Sequence, residues 1–126
     1  MKNHLAQDFV VGGYLPGEGS RGRLGALLLG VYEGNGRLCF AGRVGTGFTE
    51  AELTRLLGLL DPLRRDRPSF DPEPRPRLKE AIWVEPAIVV EVEFTEWTGV
   101  GILRHPSYKG QRTDTDPGDV TREVGS

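Results

Sequence analysis

The chain has 126 residues, a length that suits one domain with a real core but not two domains. With 16 basic and 18 acidic residues it carries a formal net charge of −2, so its overall field does not mark a nucleic-acid binder, and any site for a polyanion must come from local clustering. One cysteine, Cys39, excludes a disulfide framework. No apolar run approaches the ~20 residues that span a bilayer, and Met1 to His4 begin no signal peptide. These features imply a soluble, cytoplasmic protein.

Eighteen glycines among short runs of Val, Leu, Ile and Phe predict strands punctuated by turns. Asp8 to Tyr14 reads as a strand that ends or bulges at Gly12 and Gly13. A loop follows from Pro16 to Gly22, with Arg21 and Arg23 on either side of a glycine, and Leu24 to Glu33 is a second, largely apolar strand. Gly34-Asn35-Gly36 signals a tight hairpin, because Asn and Gly tolerate the positive φ angles it needs, and Arg37 to Val44 returns antiparallel. Cys39, on an alternating stretch of this strand, reads as a buried, inert thiol.

The period then changes. Thr49 is a good N-cap, and Glu52 three residues on completes a capping box. Leu53, Leu56, Leu57 and Leu60 follow at helical spacing as a core-facing stripe, which Pro62 ends. The proline- and arginine-rich run from 64 to 79 reads as a long exposed connection. Ile82 to Val84 and Ile88 to Phe94 read as two further strands split at Pro86. The second of them alternates Val90, Val92 and Phe94 against Glu91 and Glu93. Gly101 to Arg104 reads as a short final strand feeding a basic tail, and the polar chain beyond Pro117 reads as disordered.

Five or six antiparallel strands with one α-helix inserted after the third describe an all-β, OB-fold Greek-key barrel. The expected organisation is an OB domain over 1–117 and a disordered tail over 118–126. An SH3-like barrel fits less well because of the helix.

The strongest chemical signal is the tail. From Arg104 to Arg112 the chain holds three basic residues and no acid, together with His105, Ser107, Tyr108 and Gly110, a composition suited to gripping phosphate. One Cys and two distant His make no zinc site, and His105 and Ser107 lack an orienting partner for nucleophilic catalysis. Gly42-Arg43-Val44-Gly45-Thr46-Gly47 looks superficially like a phosphate loop, yet no Lys-Ser/Thr follows it. Tyr108 reads as a cover for the barrel end.

Four separated stretches, in order, carry a resemblance over about residues 2 to 117. They are Phe9-Val10-Val11-Gly12-Gly13-Tyr14, Leu24 to Tyr32, Gly42 to Thr49, and Arg104 to Gly110. Together they resemble the C-terminal OB domain of bacterial ATP-dependent DNA ligases, above all the ligase module of the polymerase–ligase proteins of double-strand-break end joining. In that family a separate nucleotidyltransferase domain carries a Lys-x-Asp-Gly motif whose lysine takes AMP from ATP. This chain has three lysines, Lys2, Lys79 and Lys109, and none has Asp two positions on, so alone it should not ligate.

The resemblance implies roles residue by residue. The family's closing Arg-x-Asp-Lys motif falls on Arg112-Thr113-Asp114-Thr115. Arg112 would orient the β and γ phosphates of ATP while the domain is closed, Asp114 would steer its guanidinium, and Thr115 departs from the family's lysine. Lys2 stands where a nucleotide-contacting lysine is expected. After adenylation the domain would swing onto the minor groove of nicked duplex DNA, with Arg21, Arg23, Arg43, Arg104 and Lys109 on phosphates and backbone N–H groups near Gly45 and Gly47 adding hydrogen bonds. ATP and Mg²⁺ are the cofactors implied for the complete ligase. The implied partners are the nucleotidyltransferase domain and nicked DNA, with the protein acting as a monomer beside the bacterial nucleoid. The alternative is a freestanding nucleic-acid-binding OB module with no catalytic role.

Overall fold

The computed structural model describes residues 5–17, 24–33, 36–71, 80–98 and 102–121. The first three strands form as their patterns predict: β1 (Leu5–Pro16), β2 (Leu24–Tyr32) and β3 (Leu38–Val44) make an antiparallel meander. Gly34 and Asn35 of the predicted hairpin lie outside the described residues. The turn is nevertheless closed by Glu33 N–H donating to Arg37 O at 2.9 Å, and Gly36 takes a φ of +82°. In β1 the pairing register slips between Val11 and Gly13, the bulge expected at the paired glycines.

Helix α1 (Glu50–Leu60) is capped by Thr49, whose Oγ1 accepts from Glu52 N–H at 3.1 Å. Leu56 and Leu60 are fully buried, and Leu53 and Leu57 pack partly against the core. A 3₁₀ turn over Asp61–Leu63 carries Pro62 and ends the helix. A two-residue strand, β4 (Arg64–Arg65), then pairs with Val84 and Trp83.

Three expectations about strands and connections are corrected. The two strands split at Pro86 are one, β5 (Ile82–Phe94). Its pairing with β1 jumps from Val11↔Ile88 to Gly13↔Trp83, so Pro86 falls in the interrupted part of that ladder, where its missing N–H leaves no partner unsatisfied. The connection after residue 64 is not wholly exposed. Phe70 is 3% exposed and packs edge-to-face on Phe40 and Trp83, at centroid distances of 5.3 and 5.9 Å. Its ring fits because Gly12 and Gly30 lack side chains: a Cβ at either would lie 2.6 Å from a ring carbon. Finally, the predicted last strand is only half of a small hairpin, β6 (Glu96–Trp97) with β7 (Leu103–Arg104). The basic tail is itself a strand, β8 (Ser107–Arg112), paired antiparallel with β5.

The sheet order β3-β2-β1-β5-β4, with β8 on β5, is the partly open barrel expected of an OB-fold. Closure between β3 and β8 comes through the loop after β3, where Tyr108 N–H donates to Thr46 O at 2.9 Å and Thr46 Oγ1 donates to Pro106 O at 3.1 Å. The packed chain also runs past the expected boundary at Pro117. Val120 is 4% exposed, and Tyr32 N–H donates to its carbonyl at 2.8 Å. Cys39 is half-buried rather than buried, with Sγ 3.9 Å from Asp71 O. Among the described residues no helix is long and apolar enough to cross a membrane.

Candidate functional site

β8 starts at a sharp turn. His105 takes a φ of +53°, unusual for a side chain with a Cβ, and Pro106 follows it. The strand then bulges, since Val92 faces Tyr108 while Glu91 faces Gly110, leaving Lys109 as the extra residue. The bulge resets the strand so that Gln111 and Arg112 finish it opposite Val90 and Val89.

Arg112 ends this strand between two carboxylates. Its Nε lies 3.6 Å from Asp8 Oδ1 and 3.7 Å from Asp114 Oδ1. The Asp114 contact is made from the bend that follows β8. Asp8 was not read from the sequence, because β1 and β8 are 104 positions apart at these residues and meet only through their shared neighbour β5. The guanidinium is therefore aimed by two acids while 41% of the side chain stays open to solvent. A planar fork held in this way retains donors suited to paired phosphate oxygens.

The other basic candidates differ from one another. Arg104 Nε stands 3.1 Å from Glu96 and Lys109 Nζ 3.8 Å from Glu93, so the apparent acid-free cluster is neutralised by acids from adjacent strands. Arg43 is exposed on β3 and makes no ion pair among the described residues. Lys2, Arg21 and Arg23 lie outside the described residues. Gly47 has a φ of +93°, and a Cβ there would fall 2.5 Å from Tyr108 O and 2.8 Å from Ser107 Oγ. At Gly45 a Cβ would come within 3.0 Å of Gly25 O. Both glycines are exposed, and their first consequence is structural, since they let the closing loop touch β8 and β2.

A polar network missed in the sequence lies between α1 and β8. Tyr108 is 4% exposed, stacks on Phe48 at 4.4 Å between ring centroids, and its hydroxyl donates to Glu52 Oε2. Arg55 holds the same carboxylate with Nε (2.9 Å) and Nη2 (2.6 Å), and its Nη1 donates to Gln111 Oε1 at 2.8 Å. Glu52 thus turns toward β8 instead of completing the capping box. The hydrogen bond from Arg55 holds the Glu52 carboxyl below its ordinary range against the opposing pull of burial. Burial, and then the bond to Glu52, push the Tyr108 phenol upward. The available signal was the i, i+3 spacing of Glu52 and Arg55, which allows an ion pair but does not say that a distant strand joins it.

Among the described residues no three His, Cys, Asp or Glu side chains gather to hold a metal ion.

Residues 20–115 match the family described as ATP dependent DNA ligase C terminal region. The chain is 46% identical over 124 residues to the multifunctional non-homologous end joining DNA repair protein LigD of Mycobacterium tuberculosis, covering 97% of this chain and 16% of that protein. It is 34% identical over 132 residues to a DNA ligase of Pyrobaculum calidifontis, covering 90% of this chain and 22% of that enzyme. The crystal structure of the M. tuberculosis LigD ligase domain superposes with a TM-score of 0.90 at 46% identity, over 97% of this chain and 40% of that one. The chain thus spans about a sixth of the LigD protein it matches. On the shared barrel, the ordered motifs and the extent of these matches, the chain belongs to the family of C-terminal regions of ATP-dependent DNA ligases.

Proposed function

We propose that this domain closes over a nucleotidyltransferase domain and orients the β and γ phosphates of ATP while a lysine of that domain is adenylated. The observation that carries this reading is the placement of Arg112, aimed between Asp8 and Asp114 yet 41% open, on a chain without an adenylatable Lys-x-Asp-Gly lysine. ATP supplies the adenylyl group when bound. Arg112 supplies a fixed positive fork for the departing pyrophosphate, where charge accumulates as the α-phosphoryl is transferred. Asp8 and Asp114 lie beside the guanidinium and bias it toward this position before the domains meet. Thr115 offers a hydroxyl where the family pattern has a cation, which leaves Arg112 as the main charge of this motif.

In the second stage the domain leaves the active site and packs on the minor groove of nicked duplex. Arg43, Arg104 and Lys109 would contact phosphates and fix register without reading sequence. The reading as a freestanding single-strand binder lacks a platform. The chain has two Trp, three Tyr and five Phe, all among the described residues, and none of them is exposed, whereas base stacking requires open aromatic faces.

The test mixes this chain with a matching nucleotidyltransferase domain and follows lysine adenylation from ATP. Added chain should accelerate the reaction, and Arg112→Ala should not. Equal stimulation by the two, or none by the wild type, would overturn the proposal.

A further inference from the structure

We infer that Glu52 and Arg55 of helix α1, acting through Gln111 and Tyr108, are positioning residues for Arg112. The inference rests on the phosphate-clamp reading and names the device that aims the clamp. β8 has only β5 as a ladder neighbour, and the bulge at Lys109 loosens that ladder three residues before Arg112. A strand end paired on one side is free to twist and fray. Among the described residues the loop after β3 meets the β8 backbone at Tyr108, and the α1 network takes the place of a neighbour beyond that point. Arg55 reaches the strand at Gln111, directly before Arg112 in the chain. Glu52 fixes Arg55 by two hydrogen bonds, and is itself fixed by the buried Tyr108 hydroxyl at the far side of the bulge. The brace therefore straddles the bulge, with one anchor before it and one after it. Thr49 caps α1 through Glu52 N–H, and Phe48, just before that cap, stacks on Tyr108 of the same strand, so the start of the helix is seated against β8.

The groups facing this network from every packed element are few. Glu52 and Arg55 come from α1, Tyr108 and Gln111 from β8, and Phe48 from the preceding loop. None of them meets Asp8 or Asp114, the carboxylates on Arg112, so the brace and the aiming acids can be changed separately.

The experiment uses the whole chain with a matching nucleotidyltransferase domain and ATP. With Arg55→Ala or Gln111→Leu, adenylation at saturating ATP should fall about tenfold, because a clamp displaced by a fraction of an ångström loses its alignment with the phosphates. The KM for ATP should stay within about twofold, because alignment in the transition state is affected rather than ground-state binding. Gln111→Glu keeps an acceptor for Arg55 and should retain most of the rate. In the chain alone, Arg55→Ala should speed amide hydrogen exchange at Gln111 and Arg112 and leave the β1–β2 ladder unchanged, a pattern that general destabilisation would not give. If Arg55→Ala and Gln111→Leu adenylate like the wild type while Arg112→Ala does not, the brace is refuted and the clamp stands. If Arg112→Ala is itself fully active, the clamp reading falls and the inference falls with it. Unchanged exchange at Gln111 and Arg112 also overturns the brace.

Discussion

Arg112 is bound to its own domain only weakly, by two ion pairs of 3.6 and 3.7 Å in which it is 41% exposed. Exposed pairs of this kind contribute about 0–1 kcal/mol, so Arg112→Ala should leave the melting temperature within a few degrees of wild type. The same substitution should lower adenylation by about a hundredfold or more, as removal of a positioned charge from a transition state does. Calorimetry and a single-turnover assay on one preparation separate the two effects, and a matching collapse of both would make Arg112 a folding residue instead. Glu52 and Tyr108 behave differently because their bond is buried on one side. The Glu52 carboxyl is held below its ordinary value of 4.5, so the stability it contributes is present above that pH and is lost as pH falls through the lower, folded value. The Tyr108 phenol is pushed above its ordinary 10.0, so its contribution is present below pH 10 and is lost as pH rises beyond it. The contribution of this pair should therefore be constant between these limits and fall at both ends. Tyr108→Phe should lessen the alkaline fall, part of which belongs to Tyr14 and Tyr32, whose phenols burial also pushes upward. Glu52→Gln should lessen the acid one, with both measured by denaturant titration across pH.

At the scale of elements, the local signals were legible and the long-range ones were not. Thr49, the leucine stripe and Pro62 define α1 from neighbours within one helix, and the alternation of Val90, Val92 and Phe94 defines the wet and dry faces of β5. Asp114 was legible for the same reason, being two residues from Arg112 in the chain, in the bend that follows β8. Asp8, Arg55 and Gln111 were not, since their partners lie on other elements and no short-range pattern encodes which strands share an edge. The basic tail read as free of acids because Glu93 and Glu96, which pair with Lys109 and Arg104, lie on other strands. Phe70 was hidden for a further reason, as a single aromatic among prolines and arginines has no period. The complementary trace was Gly12 and Gly30, whose missing side chains make the space for its ring. This lock gives a sharp test by double-mutant cycle. Phe70→Ala should destabilise by about 3–5 kcal/mol. Gly12→Ala, with its Cβ driven to 2.6 Å from the ring, should destabilise by about 1–3 kcal/mol. In the Phe70→Ala background the second change should be nearly neutral, because the ring it collides with is gone. Additive effects by urea unfolding would show that Gly12 serves the bulge and not the ring.

For the whole molecule the question is how a chain of net charge −2 would hold a polyanion. The cations of the proposed DNA face differ in what they must give up. Arg43 has no ion pair among the described residues, so a phosphate there replaces only solvent and counterions. Arg104 and Lys109 must exchange Glu96 and Glu93 for the phosphate, and the released carboxylates then repel the backbone. Binding to nicked duplex should therefore weaken with salt, but along a shallower slope than the number of nearby cations suggests. Arg43→Ala should reduce the slope of log affinity against log salt by about 0.9, the value for one lost phosphate contact. Glu96→Gln and Glu93→Gln should tighten binding by about two- to fivefold at low salt, because each frees a cation from a pair worth about 0–1 kcal/mol and removes a repelling charge. That gain should vanish at high salt, where both the pair and the repulsion are screened. Fluorescence anisotropy on nicked duplex over a salt series measures all three variants together. An unchanged slope for Arg43→Ala, with no tightening by either glutamine variant, would place the DNA on a different face of the barrel.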